Sequence, residues 1–179
     1  RKYSAIQITD EVEVKSQYDL RKEYAPKIAD HRVWVRVNGL ETGLADADLD
    51  AVIGIKGLAG IFLPKVETRD DVLRWDGMIA ALETSRGVAA GSTRLVLSIE
   101  SARGVLNAYD MSVAAPRIAS LSFGGAKDGD LNTDLGCTWS SEGPEMMTAR
   151  GLALIAARAA RFDTPLDGVF ADLRDPAGF

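Results

Sequence analysis

Short apolar runs alternate with amphipathic stretches from residue 32 onward, and this alternation is the clearest pattern in the chain. Each run is rich in Val, Ile, Leu or Phe, and near-continuous apolar runs of this kind are typical of parallel strands that are buried on both faces. The pattern predicts strands at 33–38, 60–67, 95–100, 118–124 and 166–172.

Helical spacing predicts helices between these runs. Thr68 is followed three residues later by Asp71, which gives a capping-box-like start, and Val72, Trp75 and Ile79 then recur on one face. The pattern predicts further helices at 46–52, 104–115 and from 141 or 142 to 162, the last with a proline in its first turn. Near the N-terminus we predict a helix at 17–29 and a short strand at 10–14.

Alternating strands and helices indicate parallel strand–helix units and therefore an α/β fold. A TIM (β/α)₈ barrel takes about 250 residues, so this chain is about two or three units short of one. We predict a single domain over 1–179 that is an incomplete TIM barrel, with the early strands and the last strand not visible in the sequence. A doubly wound open sheet is the structural alternative.

Composition and charge exclude several classes of protein. Hydrophobic residues make up 46% and charged residues 26%, and the net charge of -5 argues against nucleic-acid binding. No apolar stretch approaches the roughly 20 residues that span a bilayer, and the N-terminus lacks the apolar core of a signal peptide. Cys137 is the only cysteine, which excludes an intrachain disulfide, so we expect a reducing, cytoplasmic location.

Each apolar run ends in polar or charged residues, which are the candidate functional residues: Arg36 and Asn38, Lys65 and Glu67, Glu100, Lys127, Asp128 and Asp130, and Asp172, Arg174 and Asp175. Because the carboxyl ends of barrel strands meet at one face, we expect these side chains to surround one cavity. The competing interpretation is that the charges only mark where strands enter solvent. It is weakest for Arg36, which lies inside VWVRV, and for Glu100, which closes LVLSI, since burial of a charge without a partner is costly.

Glu100 with Asp128 or Asp130 forms a pair of carboxylates on adjacent strand ends. Mg²⁺ prefers one or two carboxylates together with water and substrate oxygens, so the pair predicts a magnesium site. Arg36 adds a positive charge that is fixed at neutral pH. Metal and arginine together would stabilise an oxyanion or an enolate. The alternative is a structural Arg–Glu ion pair at the barrel mouth.

Five segments, in this order, resemble the HpcH/HpaI aldolase/citrate lyase superfamily, and within it the citrate lyase β-subunit-like proteins: VRVNGL, GIFLPKVET, SIESARGVLNA, LSFGGAKDGDLNTDLG and DGVFADLRDPAGF. The resemblance covers roughly residues 32 to 179. It implies a TIM barrel, dependence on Mg²⁺, and cleavage or formation of a carbon–carbon bond at an acyl-CoA thioester.

The resemblance also implies roles for individual residues. Arg36 of V-R-V-N would polarise the substrate and steady the enolate, and Glu100 of I-E-S-A-R-G would be a metal ligand. The family's next motif is F-G-x-E-D-L-x-x-D-L-G, into which this chain inserts three extra residues. Counting back from D-L-G selects Asp130 as the second ligand, whereas counting forward from F-G favours Asp128. We choose Asp130, because D-L-x-x-D-L-G then matches without a gap.

We therefore expect a Mg²⁺-dependent carbon–carbon lyase that cleaves a 3-hydroxyacyl-CoA thioester of the citryl-CoA, malyl-CoA or citramalyl-CoA type through an enolate. Arg36 is the expected catalytic residue, and Arg36, Asn38 and Lys65 are expected to contact the substrate. The expected partners are the acyl-CoA or 2-oxo acid substrate and further copies of the chain, in a trimer or hexamer, with no nucleic acid and no membrane.

Two other functions stay open. A metal-dependent aldolase acting on free 2-oxo acids would use a histidine near an early strand end, and this chain offers only His31, at the other end of its strand. The second alternative is a non-catalytic subunit that binds an acyl thioester.

Overall fold

The structure, a computed structural model, describes residues 3–7, 32–140 and 142–168. Five strands form one parallel sheet in the order in which they occur along the chain. They are β1 (Tyr3–Gln7), β2 (Arg32–Arg36), β3 (Leu58–Leu63), β4 (Arg94–Ile99) and β5 (Ile118–Phe123). Spatial order equal to chain order is the arrangement of a (β/α)₈ barrel, whereas the order of a doubly wound sheet reverses at its switch point.

Helices follow the strands from β2 onward. They are α1 (Ala45–Val52), α2 (Arg69–Ser85), α3 (Ala102–Leu106), α4 (Ala108–Ser112), α5 (Asp130–Leu135) and α6 (Met147–Ala159), with 3₁₀ turns at Leu40–Thr42 and Pro144–Met146. Within the described part of the chain, no helix is long and apolar enough to cross a membrane.

The capping box predicted at the start of α2 is present. The Thr68 hydroxyl accepts the backbone N–H of Asp71 at 3.1 Å, and the Asp71 carboxylate accepts the backbone N–H of Thr68 at 2.9 Å. These two bonds satisfy donors that the first turn of a helix leaves without partners, so α2 begins at Arg69.

Other boundaries differ from the sequence predictions. The helix predicted at 104–115 is two short helices that meet at Asn107, and the long last helix is shorter, because a 3₁₀ turn precedes Met147. Strand β1 and helix α5 were not predicted. The predictions at 10–14 and 17–29 lie outside the described residues, as does most of 166–172, of which Leu166 forms a single parallel bridge with Ser122 of β5.

The core consists of apolar side chains from both faces of the sheet and from the helices that cover it. Ile61 and Leu63 of β3, Leu97 of β4 and Trp75 and Ile79 of α2 are almost fully buried. The described strands do not close into a barrel: beyond β5 the next contact is the Leu166 bridge. The fold therefore presents the carboxyl ends of four neighbouring strands, β2 to β5, along one rim.

A buried ion network lies at the opposite, amino-terminal ends of β4 and β5. Arg117, which precedes β5, donates to both carboxylate oxygens of Glu83 at 3.1 and 3.2 Å and to the Thr93 carbonyl at 2.9 Å, and it also pairs with Asp76. Glu83 is 1% exposed and accepts the backbone N–H groups of Thr93 and Gly91, each at 2.9 Å. Burial alone would raise the pKa of Glu83, but these hydrogen bonds hold that pKa below its ordinary value.

Candidate active site

Arg36 and Glu100 meet at the rim, although they lie 64 positions apart in the sequence. Arg36 is the last residue of β2, and Glu100 follows β4 directly. One terminal guanidinium nitrogen of Arg36 lies 3.6 Å from Oε1 of Glu100, and the two side chains are 38% and 14% exposed. The charges that interrupt the apolar runs are therefore paired at the end of the sheet, with β3 between them.

Lys65 occupies the position between these two strands, two residues beyond the end of β3. Its backbone N–H donates to Oε2 of Glu100 at 3.0 Å, and its ammonium lies 3.2 Å from Oδ1 of Asp130. Its φ of 51° is in the left-handed region, which non-glycine residues adopt rarely and often at functional sites. One residue thus contacts both carboxylates that the sequence marked as metal ligands.

Burial and neighbouring charges both act on the pKa of the Glu100 carboxylate. Burial raises its pKa above the ordinary value, while the Arg36 guanidinium and the backbone N–H of Lys65 lower it in part. The negative charge of Asp130 raises the pKa of Glu100 further, since two carboxylates close together repel each other. A positive charge placed between the two acids would therefore be bound favourably.

Gly124 allows β5 to approach Glu100 closely. A Cβ at this position would lie 2.8 Å from the Ile99 carbonyl oxygen and 2.9 Å from Cγ of Glu100, both too close for a real side chain. The Gly124 N–H donates to that same carbonyl at 2.9 Å.

Asp130, rather than Asp128, contacts the other candidate residues. Asp130 opens helix α5, directly after Gly129, and pairs with Lys65. Asp134, in the last turn of the same helix, accepts the backbone N–H of Ala102 at 2.7 Å and so ties α5 to the segment that follows Glu100. This bond was not foreseen, although Asp134 belongs to the D-L-x-x-D-L-G pattern. Asp128 is exposed, with a left-handed φ of 57°.

Asn38 contacts a neighbouring helix. Its backbone N–H and its side-chain amide both donate to Oδ2 of Asp48 in α1, at 2.8 and 2.9 Å. This arrangement anchors the segment after β2, so a contact of Asn38 with substrate stays a prediction.

Glu67, at the end of the β3 run, contacts the segment after β4. Its carbonyl oxygen accepts the Asn107 side-chain amide at 2.8 Å, and its carboxylate lies 3.8 Å from the Arg103 guanidinium. His31, Asp172, Arg174 and Asp175 lie outside the described residues.

Two carboxylates at the rim are the candidate ligands for the expected Mg²⁺ ion. Among residues 32–140 and 142–168, no group of three or more His, Cys, Asp or Glu side chains is placed to hold a metal. Two carboxylates, Glu100 and Asp130, are present beside each other, and one of them already binds the ammonium of Lys65. Since Mg²⁺ commonly takes one or two carboxylates and fills its other positions with water and substrate oxygens, the residues present fit this ion.

Solved structures share the fold. The citrate lyase β subunit of M. tuberculosis, complexed with oxaloacetate and magnesium, aligns with a TM-score of 0.72 at 23% identity, covering 97% of this chain and 71% of that one. A malate synthase of Haloferax volcanii aligns with a TM-score of 0.81 at 18% identity, covering 98% and 55%. These neighbours are TIM-barrel-like, so the prediction of a partial TIM barrel is confirmed and the doubly wound alternative is excluded.

Sequence comparisons identify the family. Citrate lyase subunit beta of Leuconostoc mesenteroides subsp. cremoris is 35% identical over 145 residues, which cover 81% of this chain and 46% of that protein. L-malyl-CoA/beta-methylmalyl-CoA lyase of Rhodobacter capsulatus is 30% identical over 162 residues, covering 81% and 50%. The chain thus spans about half the length of the curated relatives it matches. The model of the HpcH/HpaI aldolase/citrate lyase family matches residues 18–179, and the chain belongs to that family, as the sequence motifs predicted.

Proposed function

We propose that this chain forms the catalytic rim of a carbon–carbon lyase that cleaves a 3-hydroxyacyl-CoA thioester of the citryl-CoA, malyl-CoA or citramalyl-CoA type. The observation that carries the proposal is the convergence of Arg36, Lys65, Glu100 and Asp130 at the carboxyl ends of the strands. Relatives described as citrate lyase subunit beta and as L-malyl-CoA/beta-methylmalyl-CoA lyase support the same reaction class.

The chemistry requires a positive charge beside a developing anion. When the carbon–carbon bond breaks, the hydroxyl group gives its proton to a base and its carbon becomes the carbonyl carbon of a 2-oxo acid. The electron pair of the broken bond passes to the thioester fragment as an enolate, which then takes up a proton. Arg36 cannot lose its proton at neutral pH, and its guanidinium is only partly buried, so it can donate to a substrate oxygen. Its proposed role is to stabilise the negative charge of the enolate, the main electrostatic term in such a step.

Glu100 and Asp130 are the proposed ligands of Mg²⁺, which would act as a Lewis acid toward the substrate oxygens. The chain prepares this pair before any ion binds. The N–H of Lys65 orients the Glu100 carboxylate, Gly124 lets β5 pack against it, and Asp134 anchors the helix that carries Asp130. Asp130 is preferred to Asp128 because it is the acid that contacts Lys65. We further propose a cytoplasmic homo-oligomer, a trimer or hexamer, in which Asn38 and Lys65 contact the substrate.

Replacement of Arg36 tests the proposal directly. In the full-length protein with Mg²⁺, we expect Arg36→Met to lower kcat for the best of the three hydroxyacyl-CoA thioesters by about 10²–10³, as for other single oxyanion donors. Arg74→Met is the matched control, because Arg74 is an exposed arginine of α2. Its kcat should equal that of the wild type.

The outcomes separate the alternatives. Wild-type rates in Arg36→Met would contradict the assigned role of this residue. Cleavage of free hydroxy acids without CoA would favour the 2-oxo-acid aldolase. A protein that binds thioesters but turns over none of them would favour the non-catalytic subunit.

A further inference from the structure

Lys65 links the two acids that the proposed function assigns to the metal, and it does so through two different groups. We propose that the Lys65 ammonium is an internal counter-ion, which holds Asp130 until a divalent cation displaces it, while the backbone of Lys65 keeps Glu100 in place in both states. This inference rests on the proposed function and concerns how the ligand pair is kept ready.

The backbone contact does not depend on the side chain. The N–H of Lys65 reaches Oε2 of Glu100 at 3.0 Å because the chain turns through a left-handed conformation at this residue. Any residue that tolerates this conformation, glycine above all, would present the same N–H to Glu100. The orientation of Glu100 and the occupation of Asp130 can therefore be separated by substitution.

The contact between the Lys65 ammonium and Asp130 can be broken at little cost in free energy. The side chains of Lys65 and Asp130 are 47% and 52% exposed, and an ion pair in such a position contributes little free energy. The lysine stem can swing into solvent without opening the core, because it is flexible and its head stays hydrated. The pair therefore occupies Asp130 without competing strongly against a doubly charged ion.

The charges at the rim favour displacement of the Lys65 ammonium by a divalent cation. Arg36 and Lys65 carry two positive charges, and Glu100 and Asp130 carry two negative charges, so the group is neutral as it stands. A divalent ion added to this group would leave an excess of positive charge, which is relieved when the ammonium moves away.

Binding of Mn²⁺ alone tests the inference without an activity assay. Free Mn²⁺ would be followed by electron paramagnetic resonance in titrations of the full-length wild type, Lys65→Met and Lys65→Gly. We expect both variants to bind Mn²⁺ about two- to fivefold more tightly than the wild type, the range that an exposed ion pair supplies. Both keep the backbone N–H, and Lys65→Gly also relieves the left-handed conformation, so it carries the test if Lys65→Met does not fold.

Lys127→Met is the matched control, since Lys127 is an exposed lysine on the loop between β5 and α5, with its ammonium 6.0 Å from the centre of the Trp139 ring. Its Kd for Mn²⁺ should shift by less than that of either Lys65 variant. An equal shift would show a general charge effect and overturn the inference. Unchanged or weaker binding by both Lys65 variants would overturn it as well, while leaving the metal pair intact. Failure of the wild type and of both variants to bind Mn²⁺ would overturn the metal pair itself.

Discussion

Asp48 illustrates how one buried carboxylate fixes the backbone beside the rim. Its side chain is buried and accepts two N–H groups from Asn38. Burial raises the pKa of Asp48 above its ordinary value of 3.8, and the two hydrogen bonds oppose that shift only in part. The ionised form therefore costs stability: the contribution of this group is fully present below pH 3.8 and is lost as pH rises through the raised pKa.

Substitutions at Asp48 separate the charge from the hydrogen bonds. At pH 7 we expect Asp48→Asn to be at least as stable as the wild type, because the amide oxygen still accepts from Asn38 and no charge is buried. Asp48→Ala leaves two donors without an acceptor and should lose about 1–3 kcal/mol. Denaturant unfolding gives both free energies, and any advantage of Asp48→Asn should disappear below pH 3.8. An asparagine variant less stable than the alanine variant would contradict this account.

At the residue scale, the sequence predicted charges that interrupt apolar runs and missed contacts that depend on loop conformation. Arg36 and Glu100 were recognised because a charge inside a buried strand needs a partner. The double contact of Lys65 was not foreseen, since it depends on a left-handed backbone that no local motif encodes. The bond from the Asn38 amide to Asp48, ten positions further on in the next helix, was likewise not foreseen.

Two glycines, one in a strand and one in a helix, differ in the space that their surroundings leave for a side chain. A Cβ on Gly60 in β3 would overlap the Trp34 ring and the Arg94 carbonyl oxygen, so β2 and β4 leave no space for it. Gly77 lies on the exposed face of α2, where a Cβ would meet nothing within 4 Å. The first glycine is required by packing between strands, whereas the second only weakens its helix.

Alanine at the two positions should therefore have opposite effects. We expect Gly60→Ala to lower the free energy of unfolding by about 1–3 kcal/mol, because the Arg94 carbonyl belongs to the backbone of β4 and cannot move away without disturbing the sheet. Gly77→Ala should raise it by about 0.5–1 kcal/mol, from the higher helix propensity of alanine. Thermal unfolding of both variants measures the two values. A Gly60→Ala protein as stable as the wild type would show that β2 and β4 can separate at this point.

At the element scale, strands and helices with a strong local sequence signal were predicted correctly, and those with a weak signal were missed. Strands β2 to β5 were predicted because each is a dense apolar run, and α2 because its capping box is explicit. Strand β1 was missed because Ile6 is the only Val, Ile, Leu or Phe in YSAIQ, and α5 because DLNTDL is short and polar. The helix predicted at 104–115 divides at Asn107, whose side chain donates to the Glu67 carbonyl, a partner distant in sequence.

The ion network around Arg117 connects three elements of the molecule, namely the C-terminal part of α2 and the starts of β4 and β5. The lowered pKa of Glu83 means that its ionised form stabilises the fold. This contribution is present above the ordinary pKa of 4.5 and is lost as pH falls through the lower pKa of the folded state. The network lies at the amino-terminal ends of the strands, away from the rim that carries Arg36 and Glu100.

Acid unfolding tests this network. At pH 7 we expect Glu83→Gln to lose about 3–5 kcal/mol, because Arg117 is left buried with less compensating charge. The wild type should lose stability as pH falls below 4.5, and this part of its pH dependence should be absent from the variant. Glu41→Gln, which alters an exposed carboxylate, is the control and should follow the wild type. Parallel curves for the wild type and Glu83→Gln would contradict the assignment.

At the scale of the whole molecule, the sequence predicted the parallel strands and their order but not the contacts that join distant elements. Apolar runs and their spacing indicated parallel strands in barrel order, which the structure and its TIM-barrel-like neighbours confirm. The Arg117 network could not be predicted, because its acids lie 41 and 34 positions away on one helix face with no motif in common. The three extra residues before Asp134 leave two choices for the second acid, of which Asp130 is the one that contacts Lys65, and its role as a metal ligand stays a prediction.

Parallel strands in chain order have a consequence for folding speed. None of the five described strands pairs with its neighbour across a tight hairpin: Gly60 pairs with Arg94, and Leu95 with Ile118, each across a crossover that contains at least one helix. Every ladder therefore requires closure of a long loop before any sheet hydrogen bond compensates for the lost chain entropy. A topology of such high contact order folds slowly for its size, with apolar edges exposed in the meantime, so recovery from denaturant should be limited by sheet assembly and not by helix formation.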